Sequence, residues 1–188
     1  METQVLAVYG TSYGQTEKVV KRIADRLEAQ GLRVVTVRGD QLRPTLRLDE
    51  FDGFLVAASV VQGHHQRYIE RFVRAHRTEL RAASSAFISV SGAAASASLP
   101  ERAAAEANIQ KFFDATHWFP ATHRTFGGGF PFTKYNFIVK FFMKRICRKE
   151  GLTDFSKDHD LTDWKAVDRF AEELLKLYQA PLVGVTTA

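Results

Sequence analysis

Cysteine is almost absent from this chain of 188 residues, since Cys147 is the only one. A single cysteine excludes an intrachain disulfide, so the sequence is compatible with a reducing compartment. No apolar run approaches the roughly 20 residues that a membrane-spanning helix needs. The first residues lack the basic segment and the long apolar segment of a secretory signal peptide. These absences predict an intracellular protein that does not span a membrane.

Acidic residues are also in deficit, because 21 Asp and Glu stand against 26 Lys and Arg, for a formal net charge of +5. That balance permits an anionic partner, such as a membrane surface, a nucleic acid or a polycarboxylate substrate. Apolar residues make up 45% of the chain, which is ordinary for a globular protein. The length suits one domain with a sizeable core.

Five apolar or β-branched segments alternate with helical patterns. The predicted strands are Val5–Tyr9, Arg33–Val37, Gly53–Ser59, Ala86–Val90 and a strand within Phe119–Phe126. Helices are predicted from about Gln15 to Gln30, around Tyr68–His76, after Pro100, and over about Asp163–Leu177. This alternation favours a doubly wound α/β fold with a parallel sheet. Three loops, 10–16, 59–66 and 91–99, would then meet at the carboxyl edge, where such sheets bind ligands.

The first of these loops, Thr11–Thr16, joins a buried strand to a helix. Backbone N–H groups at a helix start have no intrahelical partner, and the helix dipole places partial positive charge there. Gly14 lets the backbone turn, and Thr11, Ser12 and Thr16 offer hydroxyl donors at the same point. It has no lysine and matches neither G-x-x-x-x-G-K-[ST] nor G-x-G-x-x-G. Taken alone, the loop predicts either a phosphate site or a turn that merely caps a helix.

Short motifs along the chain carry a resemblance to a known family. The loop Thr11–Thr16 resembles the T-x-x-G-x-T phosphate loop of flavodoxin-like proteins. More narrowly, the chain resembles the menaquinone-dependent protoporphyrinogen oxidases of bacteria at Gly14-Gln15-Thr16, Ala57-Ala58-Ser59-Val60, Gly63-His64 and Thr162-Asp163-Trp164. The resemblance runs from about Val5 to Leu177. It includes a long insertion, about 127–161, between the fifth strand and the last helix.

The resemblance implies a flavodoxin-like, five-stranded parallel sheet of order 2-1-3-4-5 in a single domain over 1–179, followed by a loose tail over 180–188. It also implies one FMN per chain. The residues that would hold the phosphate are Thr11, Ser12, Tyr13, Gly14, Gln15 and Thr16. The residues that would flank the isoalloxazine ring are Ser59, Val60, Val61, Gln62, Gly63, His64, Val90, Ser91, Gly92 and Ala93. No metal site is expected, because the histidines around the fifth strand do not form a ligand cluster.

The family chemistry would pass electrons from protoporphyrinogen IX to a quinone and yield protoporphyrin IX for haem biosynthesis. Family members place several arginines at the start of the insertion, where this chain has only Lys134. Arginine suits carboxylates best, so this departure bears on the substrate rather than on the flavin. His64 and Lys134 are the candidate catalytic residues, and a plain loop role is the alternative for His64. The alternative functions are a flavodoxin-type electron carrier and an FMN-dependent quinone reductase.

Residues 134–149 can be wound as a helix with an apolar stripe and a basic face that also contains Phe137 and Phe141. We expect this basic face to associate peripherally with the inner, cytoplasmic face of the cell membrane, where the quinone is found. Packing of the two phenylalanines against a neighbouring loop is the alternative. No nucleic-acid partner is expected, and the oligomeric state is not predicted. Two helix caps are also expected, His65 for the second predicted helix and Asp160, Thr162 and Asp163 for the last.

Overall fold

Five parallel strands form the central sheet of the computed structural model, which describes residues 2–130, 132–133 and 154–180. They are β1 (Gln4–Gly10), β2 (Arg33–Arg38), β3 (Gly53–Val61), β5 (Ser84–Ser91) and β6 (Thr122–Gly127). A two-residue strand, β4 (His64–His65), pairs antiparallel with the end of β3. The order across the sheet is β2-β1-β3-β5-β6, which confirms the predicted order 2-1-3-4-5.

Five described helices cover the two faces of this sheet. They are α1 (Gln15–Glu28), α2 (Arg67–Ala75), α3 (Arg77–Ala82), α4 (Leu99–Thr116) and α5 (Trp164–Gln179). Short 3₁₀ turns lie at Leu48–Glu50 and Ala93–Ala95. The sequence pattern predicts the four longer helices but not α3. It also extends α1 too far, because the helix ends at Glu28, ahead of the left-handed Gly31.

The position of β1 inside the sheet, between β2 and β3, explains why its sequence is continuously apolar. Val5 and Ala7 pack into the core on one face of the sheet, while Leu6 and Val8 pack into the core on the other. All four side chains are fully buried, as expected for a parallel strand with helices on both sides. Helices α1 and α5 supply the first core, and α2, α3 and α4 supply the second.

Helix α5 returns the chain to the sheet after the insertion and is fastened at two points. The Asp168 carboxylate receives hydrogen bonds from the guanidinium groups of both Arg22 and Arg26 on α1. These bonds lower the pKa of Asp168 to about 2. Near the other end, the buried Tyr178 hydroxyl donates to the carbonyl oxygen of Phe54 at 2.9 Å. The insertion is therefore followed directly by a helix that is held against α1.

The base of the insertion is a small antiparallel hairpin of β7 (Gly129–Phe130) and β8 (His159–Asp160). The amphipathic segment 134–149, with Lys134, Phe137 and Phe141, lies outside the described residues, as do Cys147 and the last eight residues. Among the helices that the structure describes, none is long and apolar enough to cross a membrane. The single-domain boundary at 179 and the membrane contact stay predictions.

Candidate functional site

The carboxyl ends of β1, β3 and β5 lie side by side in the middle of the sheet. Gly10 of β1 is level with Ala58 of β3, and Ser59 of β3 is level with Val90 of β5. The three loops predicted to meet therefore begin at one edge. This edge contains the switch point of the fold, because the chain runs outward from β1 to β2 in one direction and from β3 to β5 in the other.

The loop after β1 is held in shape by one hydrogen bond within the loop and one to helix α2. The Gly14 N–H group donates to Thr11 Oγ1 at 2.8 Å, and the Thr11 N–H group donates to the Tyr68 hydroxyl oxygen at 3.2 Å. Gly14 has a left-handed φ of 93° and is the N-cap of α1. A Cβ atom at Gly14 would meet nothing within 4 Å, so the backbone conformation, not crowding within the protein, requires glycine here.

Thr16, in the first turn of α1, is the clearest sign of a missing partner. Its side chain is fully buried, and its hydroxyl has no hydrogen-bond partner among the described residues. A buried hydroxyl without a partner costs about 1–3 kcal/mol. The N–H groups of the first turn of any helix have no intrahelical acceptor. No described side chain caps α1 in its place. A phosphate oxygen would satisfy both the hydroxyl and the helix start.

Gln66, the N-cap residue of α2, joins two of the three loops. Its side-chain amide donates to the hydroxyl oxygen of Ser12 at 3.2 Å and makes a short hydrogen bond to that of Ser59. Its Oε1 atom is buried and has no partner among the described residues. A hydroxyl can both donate and accept, so a polyol chain beside Gln66 would satisfy this amide. Sequence analysis missed Gln66, whose only signal is a polar residue directly before a helix.

The prediction of an irregular loop over 59–66 is wrong in part, because β3 runs on to Val61 and the chain turns back at once into β4. Gln62 and Gly63 both have positive φ, 52° and 78°. Two successive left-handed residues make the type I′ turn that matches the twist of a two-stranded hairpin. The hairpin thus presents Gln62 and Gly63 at its tip, beside a depression of about 330 Å³ that Ser12 and Gln66 also line.

His65 fastens this hairpin to the sheet and does not cap a helix, so the predicted cap is wrong. The pairing of His65 with Val60 places the imidazole in the core, where it is 5% exposed. Its Nε2 atom lies 2.9 Å from Ser89 Oγ, and its ring meets Phe112 edge-on with centroids 5.0 Å apart. Burial lowers the pKa of His65 to about 4, with a smaller contribution from the charge of His64. His64 itself is exposed.

The third loop contributes mainly backbone. Val90 is buried in the core, so only its main chain can face a ligand. The Ser91 hydroxyl oxygen accepts from the Ala94 N–H group at 3.2 Å, which shapes the turn that starts at Ala93. The carbonyl oxygen of Ser91 accepts from the N–H group of Gly128 at 2.9 Å. This loop is therefore tied to the start of the insertion.

The Gln15 side chain does not face the phosphate loop. Its amide donates to Asp160 Oδ1 at 2.8 Å and to Thr162 Oγ1 at 2.7 Å. Asp160 and Thr162 are therefore not the predicted caps of α5. Only Asp163 caps that helix, by accepting from the Ala166 N–H group at 3.0 Å. For a ligand, Gln15 offers the backbone N–H group at the start of α1.

Together these loops fit FMN. The start of α1, with Thr11, Gly14 and Thr16, suits a phosphate dianion, and the amide of Gln66 suits a hydroxylated chain. The hairpin after β3 and the loop after β5 leave neighbouring strands at the same edge, where the ring would lie. Lys134, one of the two candidate catalytic residues, falls outside the described residues.

Comparison with known proteins gives the same fold. A family model described as Flavodoxin domain matches residues 6–157. The protoporphyrinogen IX dehydrogenase [quinone] of Escherichia coli K12 is 27% identical, over 95% of this chain and 98% of that protein. The Leishmania major protein of the same name is 29% identical, over 92% of this chain and 74% of that protein. Among solved structures, a short-chain flavodoxin associated with a bacterial microcompartment aligns with a TM-score of 0.60 at 16% identity, over 94% of this chain and 99% of that one. The oxidised Flavodoxin 1 of Bacillus cereus aligns with a TM-score of 0.56 at 10% identity, over 93% of this chain and 98% of that one.

Proposed function

This chain belongs to the flavodoxin domain family, and we propose that it is an FMN-dependent dehydrogenase that oxidises protoporphyrinogen IX to protoporphyrin IX. The porphyrinogen loses six hydrogens in this reaction, so three quinones are reduced to quinols for each porphyrin formed. The observation that carries the proposal is the end-to-end similarity to a relative of that name, over 95% of this chain and 98% of that protein. A flavodoxin-type carrier would need the sheet and the three loops, but not the hairpin β7–β8 with its long connection.

The residues of the chain would divide the work of holding FMN, whose ring supplies the electron-accepting chemistry when it is bound. Thr11, Gly14 and Thr16, with the N–H groups that start α1, would hold the phosphate. Gln66 would hold the hydroxylated chain by the amide that already joins Ser12 to Ser59. Gly14 already bonds to Thr11, and Gln66 to Ser12 and Ser59, so ordering these groups should add little to the cost of binding.

The hairpin tip would flank the ring, with Gln62 and Gly63 presenting backbone groups to it. His65 anchors the hairpin as a neutral imidazole, because burial keeps its pKa near 4. Buried in this way, His65 is unsuited to exchange protons with a substrate. The exposed His64, next to it on β4, is our candidate for accepting a proton from the porphyrinogen.

The carboxylates of the porphyrinogen need cations, and the start of the insertion offers lysine in place of arginine. We propose that Lys134, Lys140 and Lys144 supply these charges. We also propose that the protein is cytoplasmic and associates peripherally with the inner face of the cell membrane. Lysine binds a carboxylate as a point charge rather than as a fork, so shape would contribute more to substrate binding than in arginine-bearing relatives.

The test is anaerobic turnover of protoporphyrinogen IX with a menaquinone analogue by the FMN-loaded protein, followed by porphyrin fluorescence. We expect porphyrin to form and the quinol to accumulate, and charge reversal at Lys134, Lys140 and Lys144 to raise KM. An FMN-loaded protein that reduces a simple quinone with NAD(P)H and leaves porphyrinogen untouched would instead be a quinone reductase. FMN reduction without turnover of either substrate would point to an electron carrier.

A further inference from the structure

Gln15 occupies a position that belongs to two sites at once. Its backbone N–H group lies at the start of α1, among the groups that no intrahelical acceptor satisfies. Its side-chain amide reaches 145 residues along the chain to the carboxylate of Asp160, at 2.8 Å. The same nitrogen also donates to the hydroxyl oxygen of Thr162, at 2.7 Å. The first turn of α1 is thereby bonded to Asp160, the last residue of β8, and to Thr162, two residues further on.

The outgoing and returning ends of the insertion meet at this point. Thr162 Oγ1 donates to the carbonyl oxygen of Gly127 at 2.8 Å, and the Leu161 N–H group donates to that of Gly128 at 3.2 Å. The fit is close, because a Cβ atom at Gly127 would lie 2.3 Å from the carbonyl oxygen of Leu161. The N–H group of Gly128 in turn donates to the carbonyl oxygen of Ser91, one of the residues that would flank the ring. The base of the insertion thus connects the phosphate end of the site with its ring end.

Asp160 is a strong acceptor in this arrangement. Burial works to raise its pKa, but hydrogen bonds from Thr162 and Gln15 outweigh burial and lower the pKa below its ordinary value. The group is therefore a carboxylate at neutral pH, and hydrogen bonds to charged acceptors are about twice as strong as neutral ones. The positive charge of Lys18 acts in the same direction.

We propose that Gln15 is a positioning residue that couples occupancy of the phosphate loop to the placement of the β7–β8 hairpin. FMN and the base of the insertion then stabilise one another through the first turn of α1. This inference rests on the proposed binding of FMN. Coupling of this kind is reciprocal, so the hairpin raises the affinity for FMN by the factor by which FMN stabilises the hairpin.

The test combines FMN titration with hydrogen exchange of the full chain, with and without FMN. In the wild type, FMN should slow exchange of the Leu161 amide, which bonds across the base of the insertion, and of the Gly128 amide, which ties that base to Ser91. Gln15→Met keeps the length of the side chain and removes its donor. We expect it to abolish this FMN-dependent protection and to raise the Kd for FMN about fivefold. Gln30→Met makes the same change on an exposed residue just past the far end of α1 and should behave as wild type.

Two substitutions of Asp160 separate the hydrogen bond from the charge. Asp160→Asn keeps an acceptor oxygen and should retain the coupling, whereas Asp160→Ala should lose it. If Gln15→Met and Asp160→Ala bind FMN normally and still show FMN-dependent protection of Gly128 and Leu161, the coupling is refuted and FMN binding stands. If the wild type itself binds no FMN, the proposed function fails and the coupling fails with it.

Discussion

The imidazole of His65 and the hydroxyl of Ser89 meet inside the core, with Nε2 and Oγ 2.9 Å apart. The contact joins the short strand β4, which follows the hairpin turn at Gln62 and Gly63, to the carboxyl-terminal half of β5. Since burial holds the pKa of His65 near 4, the contact is made by a neutral ring. Protonation would place an unpaired charge among Phe87 and Phe112.

This contact predicts a pH-dependent stability. The folded pKa of His65, about 4, lies below the ordinary value of about 6.5. The unfolded state therefore binds more protons between these values, and stability must fall as pH drops through that window. Urea unfolding should show a free energy of unfolding about 2–3 kcal/mol lower at pH 4.5 than at pH 7 from this group. In His65→Leu that contribution should vanish, while the exposed His64→Asn should keep most of it, because burial outweighs the charge of His64 in lowering the pKa of His65. An equal pH dependence in His65→Leu would show that other groups cause the loss.

Thr16→Val should separate folding from cofactor binding. The replaced hydroxyl is buried without a described partner, so the apoprotein should be as stable as wild type or more stable. Affinity for FMN should nevertheless fall about tenfold or more, because a hydrogen bond to a charged phosphate is lost. Thr116→Val is the matched control, since that hydroxyl is also buried but donates to the Phe112 carbonyl oxygen at 2.8 Å. It should lose stability and leave FMN affinity unchanged. Thermal unfolding and flavin fluorescence quenching measure both quantities.

Gly14 should tolerate asparagine far better than valine. Its φ of 93° lies in the left-handed region, which is costly for a β-branched side chain and milder for asparagine. In Gly14→Val the loop should relax out of this conformation when no ligand is bound, and FMN binding would then have to restore it. Affinity should therefore fall roughly 10- to 100-fold, the range expected from 1–3 kcal/mol of strain. The cofactor extracted from wild type should be FMN and not FAD, as mass spectrometry can decide. Equal affinities for the valine and asparagine variants would contradict a conformational role for Gly14.

The ion pairs between α1 and α5 predict a second pH range in which the protein loses stability, lower than the range set by His65. Asp168 has a folded pKa of about 2, below its unfolded value of about 4, so its contribution is present above pH 4 and lost as pH falls towards 2. Asp168→Asn should destabilise the protein by about 1 kcal/mol, since Arg22 and Arg26 are half exposed and screened by water. Asp25→Asn, which breaks the exposed pair with Lys21, should have little effect. Urea unfolding at pH 7 measures both, and similar losses in the two variants would contradict the special role of Asp168.

Membrane association should depend on Phe137 and Phe141 within the basic segment of the insertion. Basic residues near an anionic surface contribute about 1 kcal/mol each, so binding to vesicles should need anionic lipid and weaken with salt. Co-sedimentation with such vesicles should fall when both phenylalanines are changed to serine. Phe119→Ser, which alters an exposed phenylalanine elsewhere on the chain, is the control and should partition as wild type does. Equal partition of the double variant would argue against membrane contact through this segment.

Local patterns in the sequence determined the sheet and the first loop. The apolar run of β1 and the helical spacing of Val19, Ile23 and Leu27 report burial directly, because each depends only on the repeat of its own element. The hydroxyl-rich loop with Gly14 likewise predicts a helix start, which either binds an anion or is merely capped. Assignment of a strand order and of FMN needed the family resemblance as well, since alternation alone allows several orders.

The tertiary structure alone decided the partners of the polar side chains. Gln15 and His65 both stand beside helix starts, where sequence analysis predicts phosphate binding or capping. Gln15 instead bonds to Asp160, far along the chain, and His65 turns inward because the left-handed turn at Gln62 and Gly63 sets its pairing with Val60. A one-residue change of that register would turn His65 outward. Hydrogen bonds between distant residues depend on sheet order and register, and no local pattern encodes either.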